Sequence, residues 1–187
     1  MSNLSLDPTS TASWQSLVLE AQTASHIELN EDLQSYLVFL LMRFLNEVDL
    51  DQKPLALDFL ETFHLQGRHQ QDHLREVGDK CLLVSGFFPG LAERRFVQIN
   101  YFIHLGQGAY SALSTLSDKK YAPLFLQLSR GFVPLMDILL TIREMASDKP
   151  LLSPIAAAEL YAQTGSRAAR RDLKRFTVQP HQGRNRT

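Results

Sequence analysis

The feature that most constrains this chain is the spacing of its apolar residues, which recur every three or four positions along most of the sequence. That spacing lines up one side of a 3.6-residue helix, whereas a half-buried strand needs a period of two. Leu33, Leu37, Leu40 and Phe44 form one stripe, widened by Tyr36, Leu41 and Leu45. Leu74, Val77, Cys81, Val84 and Phe88 form a second, and Phe102, Leu105, Ala109, Leu113 and Leu116 a third. The predicted fold is all-α, a single compact multi-helix bundle of about eight or nine helical segments, with the stretches 30–48, 69–88 and 98–116 at its core. For 81–88, a short and nearly all-apolar run, a strand is the competing reading; the continuous upstream periodicity selects helix.

Capping and breaking residues mark the ends. Asn30 is a good N-cap, and Glu31 and Asp32 suit the first turn behind it. Pro54 can open the next helix, Gly67 marks a break, and Pro89-Gly90 stops the long helix before a loop carrying Glu93, Arg94 and Arg95. Ser153-Pro154 reads as a cap with a first-turn proline, Thr164-Gly165 as an end, and Ser166 as the cap of a last helix reaching about Phe176. Residues 1–176 are thus expected to form one helical domain and 177–187 a flexible basic tail. Gly106, Gly108, Ala109 and Ala112 leave little bulk on their helix, which permits close approach of a neighbour.

With 187 residues, of which 44% are hydrophobic, the chain is long enough to bury a core without disulfides or a structural metal, and its single cysteine cannot form an internal disulfide. The longest apolar run, Tyr36 to Met42, ends at Arg43 and is too short to span a membrane. The start lacks the basic and apolar pattern of a signal peptide, so a cytoplasmic location without a transmembrane segment is expected.

A formal net charge of -1 excludes a uniformly basic nucleic-acid coat but conceals two opposed parts. From residue 165 onward, seven basic residues face only Asp172, a net of +6, and the other 164 residues carry -7. Arg167, Arg170, Arg171 and Lys174 share one face of the last helix, with Ala169, Leu173 and Phe176 on the other. Such a helix suits a nucleic-acid phosphate, an anionic membrane surface or an acidic partner, and suits equally well docking on the acidic body of its own chain. As the second half of a helix-turn-helix it fits poorly, because Tyr161 and Arg171 occupy positions where that motif packs its helices together.

Three further sets of residues can be read for chemistry. His69 and His73 are one helical turn apart, with Asp72 and Glu76 beside them, a donor set able to ligate a divalent metal. It is not a His-Glu-x-x-His motif, since Gln70 stands at the glutamate position, and the competing reading is a solvated helix face. Cys81 lies on an apolar stripe and reads as an inert core residue. The third set is polar residues bracketing the most apolar part of the chain: Glu76, Asp79, Ser85, Arg94, Arg95, Tyr101 and Tyr110. If Asp79 is buried it needs a partner, and Arg75, Arg94 and Arg95 are the candidates. This set reads either as a buried ion pair fixing two helices or as a ligand pocket.

Several of these words belong together. Tyr36-Leu37-Val38-Phe39-Leu40-Leu41, Glu76-Val77-Gly78-Asp79 with Ser85-Gly86-Phe87-Phe88, Arg94-Arg95, and Asn100-Tyr101-Phe102-Ile103-His104-Leu105-Gly106-Gln107-Gly108-Ala109-Tyr110 resemble a family of uncharacterised bacterial proteins of similar length, over most of 31–175. Asn100 and Phe102 depart from the Asp and Tyr common in that family. The resemblance implies an all-helical, cytoplasmic bacterial protein and brings no substrate, cofactor or active site. The leading expectation is a non-catalytic interaction or regulatory module, possible as a homo-oligomer or with a protein partner, and no cofactor is expected. The alternatives are an enzyme or small-molecule binder using the polar set or a metal, and a nucleic-acid or anionic-surface binder using the basic helix.

Overall fold

The structure is a computed structural model, and it describes residues 11–47, 55–94, 97–147 and 149–178. Among these residues there are ten α-helices and no strand: α1 Thr11–Ser25, α2 Glu31–Glu47, α3 Leu55–Glu61, α4 Gly67–Leu82, α5 Pro89–Arg94, α6 Ile99–Leu116, α7 Ala122–Arg130, α8 Phe132–Ser147, α9 Pro154–Thr164 and α10 Arg167–Val178. A 3-10 turn, Thr62–His64, follows α3, and a π turn, Leu83–Phe87, extends α4. The all-α class is as the apolar spacing predicts. No single described helix is long and apolar enough to cross a membrane.

The caps do what their chemistry allows. Asn30 Oδ1 accepts from Leu33 N–H at 2.9 Å, Ser153 Oγ from Ala156 N–H at 3.3 Å, and Ser166 Oγ from Ala169 N–H at 3.1 Å. Gly165 ends α9 in the left-handed region, φ 69°. The expected opening of α3 at Pro54 lies outside the described residues. Two local expectations change. The run 81–88 is helical but ends in a wider turn, where Phe88 N–H donates to Leu83 O at 2.9 Å and Ser85 Oγ bonds back to Cys81 O at 2.7 Å. Pro89-Gly90 does not lead into a loop: Pro89 has no N–H to continue the ladder and its fixed φ suits a first helical position, so it begins α5. At the other end α10 runs to Val178, past the expected boundary at Phe176, and 179–187 lie outside the described residues.

Of the three stretches expected at the centre, α4 and α6 pack closely on one another, but α8 is the most enclosed element. Leu135, Met136, Ile138, Leu139, Leu140 and Ile142 are all buried, which covers every side of that helix. It meets α1, the π turn, α6 and α10. The spacing of Phe132, Leu135, Leu139 and Ile142 marks only one of its faces, and the charged Asp137 and Glu144 disguise the burial of the rest.

Close approach occurs at Gly106 and not at Gly108. A Cβ on Gly106 would lie 2.4 Å from the Phe132 ring and 2.9 Å from Cys81 Cβ, whereas one on Gly108 meets nothing within 4 Å. Overpacking costs about 1–3 kcal/mol and replacing a helical glycine by alanine returns about 1 kcal/mol, so the clash wins at one site and the propensity at the other. Gly106→Ala is expected to lower, and Gly108→Ala to raise, the urea midpoint of unfolding.

Candidate functional site

The polar centre of the molecule is Asp79, in α4 and 2% exposed. Its Oδ1 accepts from the Tyr36 hydroxyl of α2 at 2.6 Å and the Tyr110 hydroxyl of α6 at 2.7 Å, and its Oδ2 accepts from the Arg43 guanidinium of α2. Arg75, one turn earlier on α4, brings its Nε to 3.8 Å from Oδ2 and donates to the Tyr36 hydroxyl at 3.3 Å. Its guanidinium lies over the Tyr36 ring, 5.4 Å from the centroid. Tyr36 and Arg43 are seven residues apart, two turns, and so reach Asp79 from one face of α2. Tyr110 fits because Gly78 has no side chain: a Cβ there would sit 2.6 Å from its ring.

Burial pushes the Asp79 carboxyl up, while Arg43, the two phenols and Arg75 pull it down. Burial and the neighbouring Asp79 charge hold both phenols well above the usual tyrosine range, which keeps them donors. This centre frames a cavity of about 380 Å³ lined by Tyr36, Phe39, Leu40, Met42, Arg43, Arg75 and Asp79. A larger cleft of about 520 Å³ lies between the start of α6 and α9, with Glu159 as its one charged lining residue. It offers a ligand no cationic side chain.

Of the polar set read from the sequence, the structure brings together Asp79 and Tyr110. Glu76 is exposed and pairs with Lys80 at 2.7 Å. Ser85 is buried in the π turn with its hydroxyl on Cys81 O, and Tyr101 is 42% exposed beside the Phe102 ring. Arg94 ends α5, Arg95 lies outside the described residues, and the partners that Asp79 has are Arg43 and Arg75. The residues that sequence reasoning missed are Tyr36 and Arg43. Their signal was a phenol inside an apolar stripe, which needs a hydrogen-bond partner when buried, two turns from the arginine that ends the run. Cys81 is buried and its thiol is pushed up by that burial.

The histidine set separates as well. His69 and Asp72 are exposed, and His73, half-buried, faces Asp58 and Glu61 of α3 instead of His69. The basic face of α10 is divided by docking. Arg171 donates to Glu144 Oε2 at 2.6 Å and to Thr141 at 3.2 Å, and the Arg167 guanidinium donates to the His26 carbonyl. Arg170 and Lys174 stay exposed. The helix is seated by Asp137 of α8, whose Oδ1 accepts from Ser166 Oγ at 2.5 Å and Oδ2 from Arg167 N–H at 2.7 Å. A carboxylate there caps the positive end of the α10 dipole. Ala168, Ala169 and Asp172 form the buried face.

Below that cap, Glu144 and Asp172 are two buried carboxyls facing Arg171 and Arg175, and Glu144 Oε1 and both Asp172 oxygens have no hydrogen-bond partner. Burial pushes Glu144 up to about 7, with Arg171 opposing and Asp172 adding to the rise. Compared with family models, with curated proteins and with solved structures, the chain matches none.

Two outcomes are expected. Asp79→Asn turns an acceptor into a donor facing donors and leaves Arg43 without its counter-charge, so it costs about 3 kcal/mol, whereas Tyr110→Phe, losing one neutral donor, costs about 1–2 kcal/mol in denaturant unfolding. For Glu144 a raised carboxyl means that the folded state holds the proton more tightly than the unfolded chain. Its contribution is present at low pH and lost as pH rises from the ordinary carboxylate range through about 7. The melting temperature is expected to fall between about pH 5.5 and pH 8, and Glu144→Gln to flatten that fall.

Proposed function

We propose that this protein is a non-catalytic binding module that takes up a small monoanion carrying an apolar body. The observation behind this reading is the cavity framed by Arg43 and Arg75. Its volume of about 380 Å³ is in the range of small-molecule sites. Two guanidiniums against one carboxylate leave one positive charge for a ligand to balance. Asp79 fixes Arg43, and Tyr36 fixes Arg75 from below, so part of the ordering that binding requires is already in place. Each guanidinium keeps N–H groups free of these contacts, in the fork geometry that suits a carboxylate or phosphate. Phe39, 60% exposed, together with Leu40 and Met42, offers the apolar wall.

The same geometry favours binding over catalysis. Asp79 already accepts three hydrogen bonds and is only 2% exposed, which makes it an anchor for the arginines and leaves it poorly placed to act as a base. The setting we propose, from the sequence resemblance alone, is the bacterial cytoplasm.

The probes are benzoate, 4-phenylbutyrate and phenyl phosphate, titrated against the full chain by calorimetry and thermal shift. At least one is expected to bind with an affinity that weakens as salt rises, and Arg75→Met to lose about tenfold or more of it while circular dichroism stays unchanged. No binding by any of the three, or equal binding by the variant, overturns the reading.

A further inference from the structure

Away from the Asp79 centre, α3 and α4 bring together a second set of chemically active side chains. Asp58 and Glu61, three residues apart on α3, share a face of that helix, and His73 meets them from α4. One ligand atom from each of the three lies within 4.8 Å of the others. Asp58 is 7% exposed, and no described residue gives its carboxylate a hydrogen bond or salt bridge. His73 Nδ1 is buried and also lacks a hydrogen-bond partner.

A buried carboxylate calls for a counter-charge, and a buried ring nitrogen calls for a partner. Here the two residues that carry these demands come together from two helices, with a second carboxylate beside them. A single cation can meet the demands of Asp58 and His73 with Glu61 in reach as a third ligand. We propose that Asp58, Glu61 and His73 form a binding site for a divalent transition-metal ion.

The donor set selects the kind of metal. Mg²⁺ and Ca²⁺ prefer oxygen ligands throughout, while one imidazole with two carboxylates suits Zn²⁺, Mn²⁺ or Fe²⁺. Three protein ligands leave a position for water or a bound molecule, as in metal sites that do more than hold a fold together. Glu61 is exposed, which gives the ion a route in. This site shares only His73 with the set read from the histidine spacing, since His69, Asp72 and Glu76 are exposed on α4 and belong to no such group.

The test uses the full chain, stripped with a chelator and titrated with Zn²⁺ and, separately, Mn²⁺. Calorimetry reads the affinity, and bound metal is counted by mass spectrometry after desalting. One equivalent of at least one ion is expected, with a rise in melting temperature. Asp58→Asn and His73→Ala are each expected to weaken binding by more than the roughly tenfold that loss of a supporting residue costs, and His69→Ala to bind as the parent does. Absence of stoichiometric binding of both ions, or binding unchanged in Asp58→Asn and His73→Ala, overturns the proposal. Asp58→Asn keeps the side chain's volume and removes a buried charge, so the metal-free variant is expected to melt no lower than the parent. A lower value means that the carboxylate has a protein partner and overturns the proposal as well.

Discussion

A carboxylate moved from water into a protein interior has to be met by donors or by opposite charge, and at Asp79 these come from three helices at once. Tyr36 and Arg43 of α2, Arg75 of α4 itself and Tyr110 of α6 close around it. Apolar packing alone would let those helices slide or rotate with small loss, because one leucine contact resembles another. The shared acceptor does not, since each donor has one position from which it reaches the carboxylate. Gly78 completes the arrangement by letting the Tyr110 ring lie against the α4 backbone.

Much of the bundle was legible in the sequence because helical periodicity, caps and prolines are local signals. Asn30, Ser153, Gly165 and Ser166 end or begin helices for reasons contained within a few residues of each. The centre was less legible, because its pairings span 36 and 43 residues along the chain, from Arg43 and from Tyr36 to Asp79. Sequence reasoning located Asp79 and its need of a partner, and then sought that partner across the nearest turn. Arg43 was read as the end of an apolar run, when its long side chain carries the guanidinium inward to Asp79. The π turn was invisible for a related reason. Within it Gly86 lies close against Leu139, a contact set by tertiary packing that no local pattern announces.

The opposed charges of the body and the C-terminal segment are resolved within the molecule to a considerable degree. Asp137, Glu144 and Asp172 are buried acids at the junction of α8 and α10, and Arg171 and Arg175 meet two of them. The remaining basic side chains of the helix, Arg170 and Lys174, face solvent, so what the helix offers outward is weaker than its composition suggests. The all-round burial of α8 and the docking of α10 are one event, since the acids that α8 carries into the interior are those that α10 receives.

That dependence has a bearing on how the chain is made. Ser166, Arg167 and Arg171 leave the ribosome after α8, so until they emerge the Asp137 and Glu144 carboxylates of α8 have no cap and no counter-charge from α10. The most enclosed of the described helices therefore reaches its final environment only once α10 has been made. A ribosome that stalls or terminates before residue 166 releases a chain whose central helix still has reason to stay wet, a state that quality-control proteases can recognise.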